Sequence, residues 1–438
     1  MPQCHAITLP INALLIYSGP TILGVVSALT SFISFTPGRS VDFQGASHAI
    51  EYEREPILYS STLPTDPVTD LQIKINEGKV KLRWDERRGY LPAILEALGV
   101  SPASQMLVAS KSSLQRNLIT PENPRSLFFN DDVYIGYIPG APLLEISAVD
   151  PELGAIFFSL IQSKTDTPEF QREGECLRCH ASSRSMGVPG HVIRSLAIDA
   201  TGEMLTGTDT PDVDHTTPLE DRWGGWYVTG LKPGTPHRGN RVEGSVPPEV
   251  GSELKAIRKL ERYLRPQSSA LALAVHDHQT HMHNYIARVS MEARMMLHMY
   301  GHLRYMKTQV ESMVRYLVFA EEAPLNAAVL PDSEFSEAFT KNALRDSKGR
   351  SLKDFDLEKR LFKYPCSFLI YSEAFERMPE EMRQLILKRL YEVLTSDNPG
   401  KDYETLSKAE KRNTLEILLE TKIGLPPDWK LPQTDSGQ

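Results

Sequence analysis

Cys176-Leu177-Arg178-Cys179-His180 sets two thiols three residues apart with an imidazole directly after the second. This C-x-x-C-H spacing lets the two thiols form thioether bonds to the vinyl groups of haem while the histidine ligates the iron. With four cysteines and twelve histidines in 438 residues, the string would arise by chance roughly once in a thousand such chains. Three other readings stand beside haem. A zinc centre would need histidines as its further ligands, because the remaining cysteines, Cys4 and Cys366, are distant in sequence. A thioredoxin-like dithiol would want a thiolate at a helix N-terminus after a strand and has no use for His180. Coincidence is the third.

If haem is attached at Cys176, Cys179 and His180, the sixth iron position decides the chemistry. A methionine there raises the potential, a histidine lowers it, and an open position admits small molecules. Met186 and His191 are close in sequence. His215, beside Asp214 and near Arg222, lies with His237 around a Gly-rich segment of the kind that carries function on loops. Arg222, His215 and His237 are the candidate catalytic residues for an open site, with ordinary turn hydrogen bonds as the plainer explanation. Trp223 and Trp226 read as packing residues.

Four more histidines crowd one helical stretch. At about 100° per residue His276 and His283 share one face, while His278, His281 and Met282 share another, so two environments are expected. His215, His278 and His283 are the candidate distal ligands, against a plainer role as polar helix residues satisfied by solvent or carboxylates. Neither Glu-x-x-His pairs nor His-Glu-x-x-His occur, which weakens di-iron and zincin readings. A Gly-rich phosphate loop and a Gly-x-Ser-x-Gly elbow are missing as well.

Through the five residues 176–180 the chain resembles c-type cytochromes. It also resembles a group of uncharacterised exported bacterial C-x-x-C-H proteins. Their likeness is carried by Asp214-His215-Thr216-Thr217-Pro218, the run from Arg222 to Gly230, His278-Gln279 with Met282-His283-Asn284, and Tyr364-Pro365-Cys366-Ser367. The first resemblance implies one covalently attached haem c, with Cys176 and Cys179 as attachment sites and His180 as proximal ligand. It also implies assembly outside the cytoplasmic membrane. The second covers about half the chain and implies no particular substrate.

Hydrophobic residues make up 41% and charged residues 24% of the chain, which excludes a mostly disordered or collagen-like protein. A net charge of −8 without a basic block excludes nucleic acid as an expected partner. No Asp, Glu, Lys or Arg precedes Arg39, and residues 11–35 are nearly all apolar or small. Residues 1–38 are therefore read as a signal peptide or membrane anchor, with small residues Val26-Ser27-Ala28 where cleavage would fall. Pro10, Pro20 and the absence of an early positive charge favour the alternative, a buried hairpin of a cytosolic protein.

Residues 39–245 read as a mixed domain. A helix at residues 90–98 stops at Gly99, and strands are expected at 127–129, 133–137, 143–149 and 155–158, separated by Asn, Asp, Pro and Gly turns. A hairpin is expected from residues 192–199 and 203–206. Residues 246–438 read as helical. One long or two consecutive helices span 268–320 with Gly301 as the weak point. Pro379 opens another, and Ser407-x-x-Glu410 caps the last, ending near Thr421.

The expectation is thus an α+β protein with an apolar export or anchor segment, a haem-bearing mixed domain and a C-terminal all-α domain. Its expected place is the periplasm or the outer side of the cytoplasmic membrane, with membrane contact through the N-terminal segment. Electron transfer with a redox partner protein is the leading role. The alternatives are a haem-based sensor, a peroxidase-like enzyme acting on a small-molecule oxidant, and a zinc-binding protein.

Overall fold

Alternation along four central strands produces a sheet with two unlike faces. The computed structural model describes residues 50–246, 248–249 and 251–432; the apolar stretch 11–35 lies outside them. The strands are β1 (Met106–Val108), β2 (Arg125–Phe129), β3 (Val133–Tyr137), β4 (Leu143–Asp150), β5 (Gly154–Ile161), β6 (Phe170–Arg172) and β7 (Trp226–Tyr227). They form one antiparallel sheet in the order β6-β5-β4-β3-β2-β1-β7.

Short polar turns set the register. Asn130 Oδ1 accepts from the N–H groups of Asp132 and Val133 between β2 and β3. Asp150 Oδ1 accepts from Glu152 and Leu153 between β4 and β5. In the register that follows, Phe128, Ile135, Ile146 and Phe158 lie opposite one another across four strands. This apolar face packs against α1 (Pro67–Asn76) and α2 (Leu91–Ala97), through Val68, Leu71, Leu91 and Ile94. Asp66 caps α1 by accepting from Val68 and Thr69, and Gly99, at φ +65°, ends α2 as its left-handed stop.

The other face is more polar. Phe129, Tyr134, Ser147 and Phe157 form one cross-strand row, and Leu127, Gly136, Glu145 and Ser159 form the next. On it lie the short helix α3 (Leu177–His180) and part of α4 (Ala270–Tyr300), a helix of 31 residues. Ser269 caps α4 at its N-terminus and Gly301, at φ +69°, ends it, so the stretch 268–320 is two helices. The second is α5 (Lys307–Leu317), followed by α6 (Ser333–Thr340), α7 (Glu373–Glu376), α8 (Glu380–Thr395) and α9 (Lys408–Thr421). The capping box at Ser407 and Glu410 is formed.

The chain is therefore a mixed α/β protein with a seven-stranded antiparallel sheet and a helical C-terminal region. The largest apolar cluster runs from Met106 and Val108 in the sheet, through α4, to Leu390 and Leu418 in α8 and α9. The hairpin expected at 192–206 is reduced to a bridge between Ile198 and Met204. Its first arm turns elsewhere: Leu196 N–H donates to Gly224 and Ser195 N–H to Pro211. Gly224 permits that approach, since a Cβ there would meet Leu196 backbone at 2.9 Å. Among the described residues no helix is long and apolar enough to cross a membrane.

Candidate functional site

One turn of helix presents the C-x-x-C-H residues. Leu177, between the two cysteines, is buried and fixes α3 in the core under the sheet, with Ala181 beside it. That anchoring turns Cys179 to solvent and leaves Cys176 half-buried, both as free thiols. Burial, with Glu145 and Glu173 nearby, pushes the Cys176 thiol up to about 12, so it is held as S–H rather than as the thiolate a redox dithiol uses.

His180 is oriented by its backbone neighbour in space. Its Nδ1 lies 3.0 Å from the Gly190 carbonyl oxygen. A carbonyl only accepts, so Nδ1 carries the proton and Nε2 keeps its lone pair. Nε2 makes no hydrogen bond among the described residues. The ring packs on Phe157 at 4.7 Å, and burial lowers its pKa to about 4, which keeps the imidazole neutral.

The loop supplying Gly190 is itself held on two sides. Ala155 N–H donates to Pro189 O at 2.9 Å, an approach that depends on Gly154, where a Cβ would stand 2.5 Å from that oxygen. Gly190 N–H donates to His180 O. On the sheet beside α3, Arg125 Nη1 pairs with Glu145 Oε2 at 2.7 Å, across Gly136, whose missing side chain leaves the row open. Arg125 Nε is buried and unpartnered.

The histidines of α4 divide as their spacing predicts. On the sheet side, the rings of His191, His276 and His283 surround Tyr134 at 4.3, 5.5 and 6.3 Å. His283 Nε2 donates to Asp131 O, and His191 Nε2 meets Ser147 Oγ. Burial lowers His283 to about 4 and His276 to about 3, and His191 well below its ordinary value.

On the opposite side, His215 Nδ1 lies 2.8 Å from His278 Nδ1, and His278 Nε2 lies 2.8 Å from Ser367 Oγ. One imidazole donates and the other accepts, which requires the acceptor to be neutral; burial holds both well below the usual histidine pKa. Tyr316 and Phe319 stack on His215 at 4.0 and 4.7 Å. His281 reaches Asp214 at 3.4 Å.

Arg222 is 2% exposed and donates to Thr217 O, His215 O and Asp277 Oδ2. The indole of Trp223 donates to the same carboxylate oxygen. The guanidinium is thus engaged inside the protein. His237 is half-buried near Trp223, and Met186 is a left-handed residue whose carbonyl accepts from Arg288. Trp226 donates to Arg194 O and packs in the core.

Segments far apart in sequence thus meet along α4: His215, Arg222 and Ser367 on one side, Tyr134 and His191 on the other. Gly190, the partner of His180, carries no sequence signal beyond its place in Pro189-Gly190-His191, and Arg125 and Tyr134 carry none. A cleft of about 690 Å3 lies elsewhere, between α1, α2 and Glu373, away from Cys176 and His180. No group of three or more His, Cys, Asp or Glu side chains that could hold a metal ion occurs among the described residues. Compared with protein-family models, with curated proteins and with solved structures, the chain has no match.

Proposed function

We propose that the chain is an exported c-type haem protein of periplasmic redox chemistry, with electron transfer as its role. The observation that carries this reading is His180: Nδ1 is fixed by the Gly190 carbonyl and Nε2 is left free, on the same helical turn as two free thiols. A metal-binding histidine characteristically donates its other ring N–H in this way.

The residues fit the group. Among the described residues Cys176, Cys179 and His180 do not gather with a fourth ligand around one point, as a tetrahedral zinc site would need. Haem attachment instead asks each side chain to reach a different part of one large ring. Addition of each S–H across a vinyl C=C forms the S–C bond and places the hydrogen on the neighbouring carbon, with no net oxidation. The protonated Cys176 suits that step. When bound, the haem supplies a one-electron couple.

The chain's own part is to hold and shield. Phe157 and Leu177 pack beside the attachment turn, Gly190 fixes the imidazole, and Arg125 offers an unpartnered Nε to an anionic group. Arg222 and His215 are committed to Asp277 and His278, which supports electron transfer over oxidant activation by those two residues. The test is acid–acetone extraction of the full chain expressed with haem-attachment machinery. Haem should stay with the precipitated polypeptide; complete extraction would overturn attachment.

A further inference from the structure

The cleft between α1, α2 and the start of α7 encloses about 690 Å3, within the range of small-ligand sites, roughly 300–1,000 Å3. Its floor is apolar, with Leu71, Leu82 and Val149 buried beneath it. Most charged groups around it are paired. Arg83 meets Glu96 at 3.1 Å, Lys79 meets Glu77 at 2.7 Å, Glu373 meets Arg377 at 2.7 Å, and Lys81 stands 4.0 Å from Asp166. Three lining side chains have no hydrogen bond or ion pair among the described residues: Asp70, Lys74 and Asp132. Asp70 and Lys74 are exposed, but Asp132 is half-buried. Its neighbour Asp131 has Lys353 at 2.6 Å, whereas Asp132 has no such cation. Burial, with Asp131 beside it, raises the Asp132 pKa to about 6. A half-buried carboxylate that lines a cleft without a partner calls for a cation from outside the chain.

The free charges stand at opposite ends. Asp132 lies where α1 begins: its carbonyl accepts from Val149 N–H at 2.8 Å, and the next residue of β4, Asp150, accepts from Thr65 N–H at 2.6 Å, just before the cap of α1. Lys74 lies in the last turn of α1, and its carbonyl accepts from the N–H groups of Lys79 and Val80. At 1.5 Å per helical residue, the rise from Asp66 to Lys74 is about 12 Å. An extended peptide of about three or four residues, at roughly 3.3 Å each, covers that distance.

We propose that this cleft binds a short apolar peptide in its zwitterionic form, with the terminal ammonium at Asp132 and the terminal carboxylate at Lys74. Asp70, in the first turn of α1, adds negative charge on the ammonium side. Side chains of the peptide cover the apolar floor. A simple amine would leave Lys74 without a partner and a fatty acid would leave Asp132 without one, while a zwitterion satisfies both. Binding here does not depend on haem attachment at Cys176 and Cys179.

Calorimetric titration of the full chain with trileucine, N-acetyl-trileucine and trileucine amide tests the assignment. Trileucine should bind, and each blocked form should bind at least about tenfold more weakly, the loss of one charge-assisted contact. Asp132→Asn should weaken trileucine to the level of the acetylated form and leave the affinity for the acetylated form unchanged. Lys74→Gln, at an exposed position where folding is not at stake, should act in the same way with respect to the amide. A wild type that does not bind trileucine, blocked peptides that bind as tightly as trileucine, or either variant binding trileucine like the wild type overturns the proposal.

Discussion

Asn284 binds both backbone polar groups of His191: its Oδ1 accepts from the His191 N–H at 2.8 Å and its Nδ2 donates to the His191 carbonyl at 2.7 Å. This clamp ties α4 to the loop whose preceding residue, Gly190, orients His180. The long helix therefore braces the loop that orients His180. Gly190 must lack a side chain, since a Cβ there would stand 2.3 Å from Asn284 Oδ1.

Replacing Asn284 by Ala strands a buried N–H and a buried carbonyl, and should destabilise the fold by about 2–4 kcal/mol. Gly190→Ala should also lower haem loading, because Asn284 must move. Urea unfolding and the haem-to-protein absorbance ratio check both. A loss under about 0.5 kcal/mol for Asn284→Ala, against an expectation of this size for two buried groups, would show that the clamp is unimportant.

Arg222→Met removes three hydrogen bonds and leaves Asp277 buried without its cation. The cost should be about 3–5 kcal/mol in unfolding free energy. The haem spectrum of the folded fraction should not change, because Arg222 points to Asp277 and His215 rather than to the attachment turn. A shifted spectrum with unaltered stability would return Arg222 to the reacting site.

Much of this arrangement was legible in local pattern. Period-two alternation located β2 to β5, Gly99 and Gly301 marked helix ends, Ser407 and Glu410 form their capping box, and the helical angle separated His276 from His278. The pairings were not legible. His215 with His278, Arg222 with Asp277 and His180 with Gly190 join residues whose contact depends on how the sheet and α4 pack. Periodicity carries no information about that. The shortened hairpin at 192–206 has the same origin: its backbone found partners at Gly224 and Pro211, beyond any local window.

Acid should destabilise the protein. His191, His215, His276, His278 and His283 are all held below their ordinary pKa by burial. Below about pH 6.5 the unfolded chain takes up protons that the folded one does not. That stability is complete above the unfolded value and is lost as pH falls. Asp132, raised to about 6, and Asp277 and Glu322, each raised to about 7, act in the opposite sense. Outnumbered, they leave stability falling as pH drops from about 6 to 5. Urea midpoints at pH 7, 6 and 5 check it; a flat or rising series would contradict it.

Export has its own test. A reporter active only outside the cytoplasm, fused after Gly45, should work, as expected for an apolar leader without charges before Arg39. Activity of a cytoplasm-specific reporter at the same position would contradict export.

The most direct measurement of haem attachment is mass spectrometry of a tryptic digest of the full chain. Cleavage after Arg172, Arg178 and Arg184 separates Cys176 and Cys179 into peptides 173–178 and 179–184. Thioether bonds from both thiols to one haem should hold the two peptides together, with the combined mass raised by that of the haem. Two separate peptides with unmodified thiols, from protein made with the attachment machinery, would contradict it.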